Sequence, residues 1–175
     1  MKKIVSMLLA LLLLCSLTAC TQEEGTPDGM QDVAVENAAF HLYVPASWIP
    51  QTESGVSGAR VASSDSSNVT VLAYFPSEVM TPAQYWEKMA LPEYQNGTLR
   101  EFKVMEEACG PTTLGGNDAQ KYAAMYLFGD TAYQMLQIIT VHDNVVYILT
   151  YTATSVNYQN HLETVEQIRD VFRFK

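Results

Sequence analysis

Along the C-terminal half of the chain, strand-forming residues come in three runs separated by two short polar pairs. Ala119 to Phe128 ends in Gly129-Asp130, Ala132 to His142 ends in Asp143-Asn144, and Val145 to Ala153 closes the set. Two-residue connections rich in Gly, Asp and Asn suit the primed turns that follow strand twist, so this pattern predicts an antiparallel meander. Alternation within it is incomplete, and that is informative. On 132–142 one face carries Tyr133, Met135, Ile139 and Val141 and the other carries Leu136 and Ile138; on 145–153 Tyr147, Leu149 and Tyr151 share one face and Val146 and Ile148 the other. A sheet apolar on both sides needs a layer on each. The expectation is an α+β domain with the antiparallel β-sheet meander flanked by helices on both faces, an α/β/α sandwich.

Two segments carry helical spacing. Thr81-Pro82-Ala83-Gln84 reads as a helix start, with Thr as cap, Pro at the first position and Gln reaching back. That helix is expected to run to about Ala90 and stop before Pro92, with Tyr85, Trp86 and Met89 on the face that packs on the sheet. From about Val156 to Arg169 a second stripe, Tyr158, Leu162, Val165, Ile168 and then Phe172, recurs at steps of three and four. Val171 to Phe174 then reads as a short extended piece. Upstream, alternation predicts a strand from Phe40 to Val44 stopped by Pro45, with the indole of Trp48 over the sheet edge. A hairpin follows, Ala59 to Ser63 and Val69 to Phe75 around the Ser-rich tip 64–68, read as solvated. Phe102 to Ala108 is a further strand, and 110–117, rich in Gly and Pro, a loop that turns at Gly115-Gly116.

The first residues follow another pattern. Lys2 and Lys3 precede the apolar run Ile4 to Leu14, and Leu17-Thr18-Ala19-Cys20 follows. A run this short with a basic flank is a secretory leader and not a spanning helix. Leu-Thr-Ala-Cys resembles the lipobox of bacterial lipoproteins, which implies cleavage after Ala19 and a lipid on Cys20. The chain then divides into a leader (1–19), the lipidated Cys20 with a flexible polar tether (20–31), and a single domain (32–175). Acyl chains on one residue hold a protein stably on a bilayer, so the expected location is the extracytoplasmic face of the cell membrane. The net charge of −9 becomes −11 once Lys2 and Lys3 leave with the leader. Such a balance excludes nucleic acid as a partner and leaves the lipid, rather than surface charge, to hold the domain at the membrane. Of three cysteines, Cys15 departs and Cys20 is acylated, so Cys109 remains as a lone thiol, read as a small buried residue.

The search for chemistry is mostly negative. His41, His142 and His161 sit in separate elements, and the sequence holds no His-x-x-x-His, Cys-x-x-Cys, Gly-x-Ser-x-Gly or phosphate-cradling loop. Glu106, Glu107, Asp118 and Asp143 offer carboxylates that no spacing gathers around a metal. No catalytic residue, metal or cofactor is expected. His142 beside Asp143, at a hairpin tip, is the only adjacent His-acid pair. Together with the two indoles, Trp48 and Trp86, it makes up the candidate binding set.

Order and landmarks together resemble the Mog1/PsbP-like fold, in particular its bacterial lipoproteins and exported proteins. The landmarks are Phe40-His41-Leu42-Tyr43-Val44-Pro45 followed by Trp48, the helix opening 81–85, Gly115-Gly116-Asn117-Asp118-Ala119 leading into Lys121-Tyr122, the strand 145–150, and the closing Val171-Phe172-Arg173-Phe174. The resemblance implies an antiparallel sheet with helices on both sides, in agreement with the two-faced pattern. It also implies accessory or binding work: photosynthetic relatives stabilise a manganese- and calcium-containing complex, and nuclear relatives bind a small GTPase. No binding motif of either group matches residue by residue. The resulting expectation is a non-enzymatic, membrane-tethered accessory or binding lipoprotein that engages a protein partner in the cell envelope. The alternative is a lipoprotein that binds a small ligand or divalent cation for uptake, with its site near Trp48, Trp86 or the acidic turns.

Overall fold

The computed structural model describes residues 25–52, 56–97 and 99–175. The leader and Cys20 lie outside them. In chain order the elements are β1 (Met30–Asp32), β2 (Phe40–His41), β3 (Tyr43–Pro45), β4 (Ile49–Pro50), β5 (Ser57–Arg60) and β6 (Asn68–Tyr74). Helix α1 follows as three consecutive segments, Pro82–Tyr85, a wide π turn Trp86–Ala90, and Leu91–Asn96. Then come β7 (Arg100–Val104), a 3-10 turn (Glu106–Ala108), β8 (Gly110–Leu114), β9 (Asn117–Phe128), β10 (Thr131–His142), β11 (Val145–Thr154), α2 (Tyr158–Val171) and β12 (Arg173–Phe174).

The main sheet has the order β4-β5-β6-β11-β10-β9-β7, and β8 pairs the N-terminal half of β9. The meander forms as its turns dictate. Asp143 and Asn144 both take positive φ, 48° and 61°, the conformation a type I′ hairpin requires, and Gly129 takes φ 61° at the first position of its turn. Both faces of the sheet are covered, as the broken alternation demands. Leu136, Ile138, Leu149 and Tyr151 pack with Val165 and Ile168 of α2, while Met135, Ile139, Val146 and Ile148 pack with Trp86 and Ala90 of α1. The buried hydroxyl of Tyr151 is satisfied by donating to the Tyr158 carbonyl at 2.8 Å, which fastens α2 to the sheet.

Several boundaries differ from expectation, each for a physical reason. Folded chain starts at Met30, two residues inside the expected tether, because β1 pairs with β3 and the Gln31 amide donates to the Trp48 carbonyl at 2.7 Å. Helix α1 opens on the expected capping box, Thr81 with Gln84. It then passes through Pro92, because in the π turn the Leu91 N–H already bonds five residues back, to the Trp86 carbonyl. The missing proline N–H falls where the regular ladder is interrupted. Val104 ends β7, and 106–108 form a 3-10 turn instead of strand. Residues 110–114, expected as loop, form β8, whose Pro111 is tolerated because β8 bonds to β9 on one side only.

Candidate functional site

Where β10 turns into β11, the side chains on the α2 face of the sheet become small. Val71 and Ala73 of β6 and Val145 of β11 form a floor, and the segment from Val35 to Phe40 stands opposite as a wall. That wall is fixed at two points: the Val35 N–H donates to Ser57 Oγ at 2.9 Å, and the Lys175 N–H donates to the Ala39 carbonyl at 3.0 Å. Between floor and wall lies a cleft of about 450 Å³. Phe75, 75% exposed, stands at its mouth, and His142, Asp143, Asn37 and Lys175 supply its polar rim.

Of the sequence-based candidates, His142 and Asp143 belong to this cleft. The imidazole stacks on Phe174 at 4.1 Å between ring centres, and its Nε2 lies 3.6 Å from Asp143 Oδ2. Burial, with Asp143 adding to it, raises the pKa of the Tyr147 hydroxyl on the cleft wall. Trp48 and Trp86 are not part of it. Each is buried, on opposite faces of the sheet: Trp48 meets His161 edge-on at 6.2 Å, and Trp86 stacks on Tyr122 at 4.3 Å. Their large apolar area is spent on the two cores, so neither indole is presented to a ligand.

The other histidines serve the fold. His41 Nδ1 lies 2.7 Å from Asp32, whose other oxygen accepts the N–H groups of Ala34 and Leu42. His161 Nε2 lies 2.8 Å from Asp65, so the tip 64–68, expected to be solvated, is fastened to α2 and buries Ser67. Burial disfavours the Asp65 carboxylate, but hydrogen bonds from Ser67, His161 and Asn157 outweigh it and hold its pKa at about 2. Cys109 is half-buried, with Sγ 3.4 Å from both the Met105 carbonyl and the Ala123 N–H, in keeping with a structural thiol.

The cleft joins an apolar floor to a polar rim. Its hydroxyl nearest the wall, Ser57 Oγ, already accepts the Val35 N–H. Among the described residues no three His, Cys, Asp or Glu side chains converge as metal ligands. Further hollows, of about 230 Å³ beside α1 and about 400 Å³ at Tyr126 and Tyr133, are aromatic and wider open, and neither gathers charges of both signs at its rim. Sequence spacing did not point to Ala73, Phe75, Lys175 or the 35–40 wall, because nothing local ties residues so far apart in the chain.

No protein-family model matches the sequence, and no curated protein does. The fold nevertheless recurs among solved structures. LpqN of Mycobacterium tuberculosis, described as involved in cell envelope biogenesis, is 15% identical over 83% of this chain and 90% of its own, with a TM-score of 0.59. Cyanobacterial PsbP (CyanoP) of Synechocystis is 13% identical over 91% of this chain and 99% of its own, with a TM-score of 0.61. The Ran-binding protein Mog1p of Saccharomyces cerevisiae is 8% identical over 83% and 95%, with a TM-score of 0.57. At such identities the likeness is one of fold, and it establishes the Mog1/PsbP-like arrangement for this chain.

Proposed function

We propose that this chain, a domain of Mog1/PsbP-like fold, is a non-enzymatic accessory module that holds a protein partner in the cleft beside β6, tethered outside the membrane by lipid on Cys20. The observation that carries the reading is the cleft itself: an apolar floor of small side chains, a polar rim, and an exposed phenylalanine at the mouth. Large exposed aromatics beside a concave apolar surface are what protein interfaces use as anchors. Two structural neighbours support the direction, one described as acting in cell envelope biogenesis and one as Ran-binding. Among the described residues no helix is long and apolar enough to cross a membrane.

The test is a photo-crosslinking amino acid placed at Phe75 in the full chain, in its own cells, with Val156, 86% exposed in the turn before α2, as the control position. One protein crosslinked from 75 and not from 156 is the expected result. Equal labelling from both positions, or none from 75 at equal expression, would sink the reading. A second reading, a small apolar ligand in the same cleft, is favoured by its volume, which falls within the ~300–1,000 Å³ of ligand pockets. A ligand at about 100 times its Kd adds about 2.7 kcal/mol of stability, so a melting screen of metabolites on the full chain decides it.

A further inference from the structure

Among the described residues, β6 runs on beyond the start of β5 with no strand paired to it on that side, beside the cleft. In an antiparallel ladder each residue of an inner strand turns its N–H and C=O to one neighbour, and the next residue turns to the other. At the continuation of the β5–β6 register the Val61 N–H donates to the Ser67 carbonyl at 2.8 Å, so the odd-numbered residues of β6 face β5. On the far side, the Ser155 N–H donates to the Ala132 carbonyl at 2.9 Å, which turns odd residues of β11 to β10 and even ones to β6. Both bonds give the same phase. β5 begins at Ser57, opposite Val71, and among the described residues nothing pairs with Ala73 on that side. Its N–H and C=O therefore point out of the sheet at the cleft that Ala73 lines.

The composition of this edge is equally informative. Other edges of the sheet carry devices that prevent pairing with a foreign strand. β4 ends in Pro50, β8 holds Pro111, and β7 holds Arg100, Glu101 and Lys103, with Glu101 at φ 52° and a register break between Arg100 and Lys103. Residues 72–75, Leu-Ala-Tyr-Phe, have none of these. They are uncharged, with Leu72 48% and Phe75 75% exposed.

We propose that the cleft's partner enters as an extended polypeptide segment, which adds to β6 beyond the start of β5. It bonds to the main chain of Ala73 and lays alternate apolar side chains against Phe75 and over Val71, Ala73 and Val145. The proposal rests on the binding-module reading and names the chemistry of its partner. Main-chain bonds supply affinity in such additions, while a pocket beside the edge selects among side chains.

A phage-displayed library of random linear peptides about a dozen residues long, panned on the full chain in mild detergent, supplies the probe. The selected peptides are measured against wild type, Ala73→Pro, Phe75→Lys and His142→Ala. Ala73→Pro removes one outward N–H and no bond to β11; Phe75→Lys adds a charge at an exposed site. Melting curves establish that each variant folds, and if Ala73→Pro does not, Phe75→Lys and hydrogen exchange decide. Expected are peptides of alternating apolar pattern that lose about tenfold or more in affinity, about 1.4 kcal/mol, on Phe75→Lys and Ala73→Pro. They should also slow exchange of an Ala73 amide that is unprotected in the free chain.

No enrichment over the input library, unchanged binding to both edge variants, or an Ala73 amide already protected without peptide would each overturn the proposal. Self-association that Phe75→Lys abolishes would overturn it too, by assigning the edge to a second copy of the chain. Peptides lost on His142→Ala but kept by Ala73→Pro would leave the binding-module reading standing while strand addition fell.

Discussion

Each of the three histidines stands against an aspartate, at 2.7, 2.8 and 3.6 Å, and the two closer pairs are made by residues distant in sequence. Asp65 has the most to contribute. Its folded pKa of about 2 lies below the ordinary 3.8, so between those values the unfolded chain binds the proton more readily. Its contribution is whole above about pH 4 and is lost as the pH falls through 2. Asp65→Asn is expected to lower stability by roughly 1 to 2 kcal/mol at pH 7. Urea denaturation of the two proteins at pH 7 and near pH 2 checks this, since the gap between them should close in acid. A second residue-scale prediction concerns Gly115. It sits at φ +57°, and a Cβ there would lie 2.7 Å from two ring carbons of Phe174. Gly115→Ala should therefore cost about 1 to 3 kcal/mol from backbone strain and displacement of that ring. Because Phe174 stacks on His142, the His142 resonances should shift in the same variant.

At the scale of elements, helices α1 and α2 have different tasks. α2 closes one face of the sheet with a regular stripe, and Val165 and Ile168 are fully buried. Ile168→Ala should cost about 2 to 5 kcal/mol, because the site is enclosed on all sides and cannot collapse. Val156→Ala, three-quarters or more exposed before the helix begins, should fall within about 0.5 kcal/mol of wild type. Thermal melts of the pair separate a packing helix from a merely attached one. α1 covers the other face mainly through Trp86 and Ala90, both within its π turn. The widened turn lets one helix bury an indole and still run on through Pro92.

For the whole molecule, charge and attachment make a connected prediction. With a net charge of −9, the chain has no electrostatic reason to approach an anionic bilayer. If lipid on Cys20 provides the tether, wild-type chain from membranes should float with vesicles of phosphatidylglycerol, whereas Cys20→Ser should remain in the soluble fraction. Flotation of both to the same extent would locate the membrane affinity elsewhere in the chain. Helices α1 and α2 cover the two faces of the sheet.

Local information was enough for whatever depends on period and turn chemistry. The meander, its Asp143-Asn144 turn, the division of β10 and β11 between two cores and the α2 stripe all follow from residues within a few positions of one another. So does the capping box of α1. Tertiary structure alone decided what depends on long-range register. β8 formed from a stretch rich in Gly and Pro because β9 offered an unpaired half to bond with. The Asp65–His161 pair joins residues 96 apart, and the Ser-rich tip, still exposed at Ser64 and Ser66, is fastened to α2 and buries Ser67. Trp48 and Trp86 read first as packing residues and second as candidates for binding, and the two covering layers assign both to the core. The cleft shows the same dependence. Half of the candidate set, His142 with Asp143, was legible as a hairpin tip. Its floor and open edge arise because β5 begins at Ser57 while β6 runs on to Tyr74, a mismatch of strand lengths that exists only once the strands are paired.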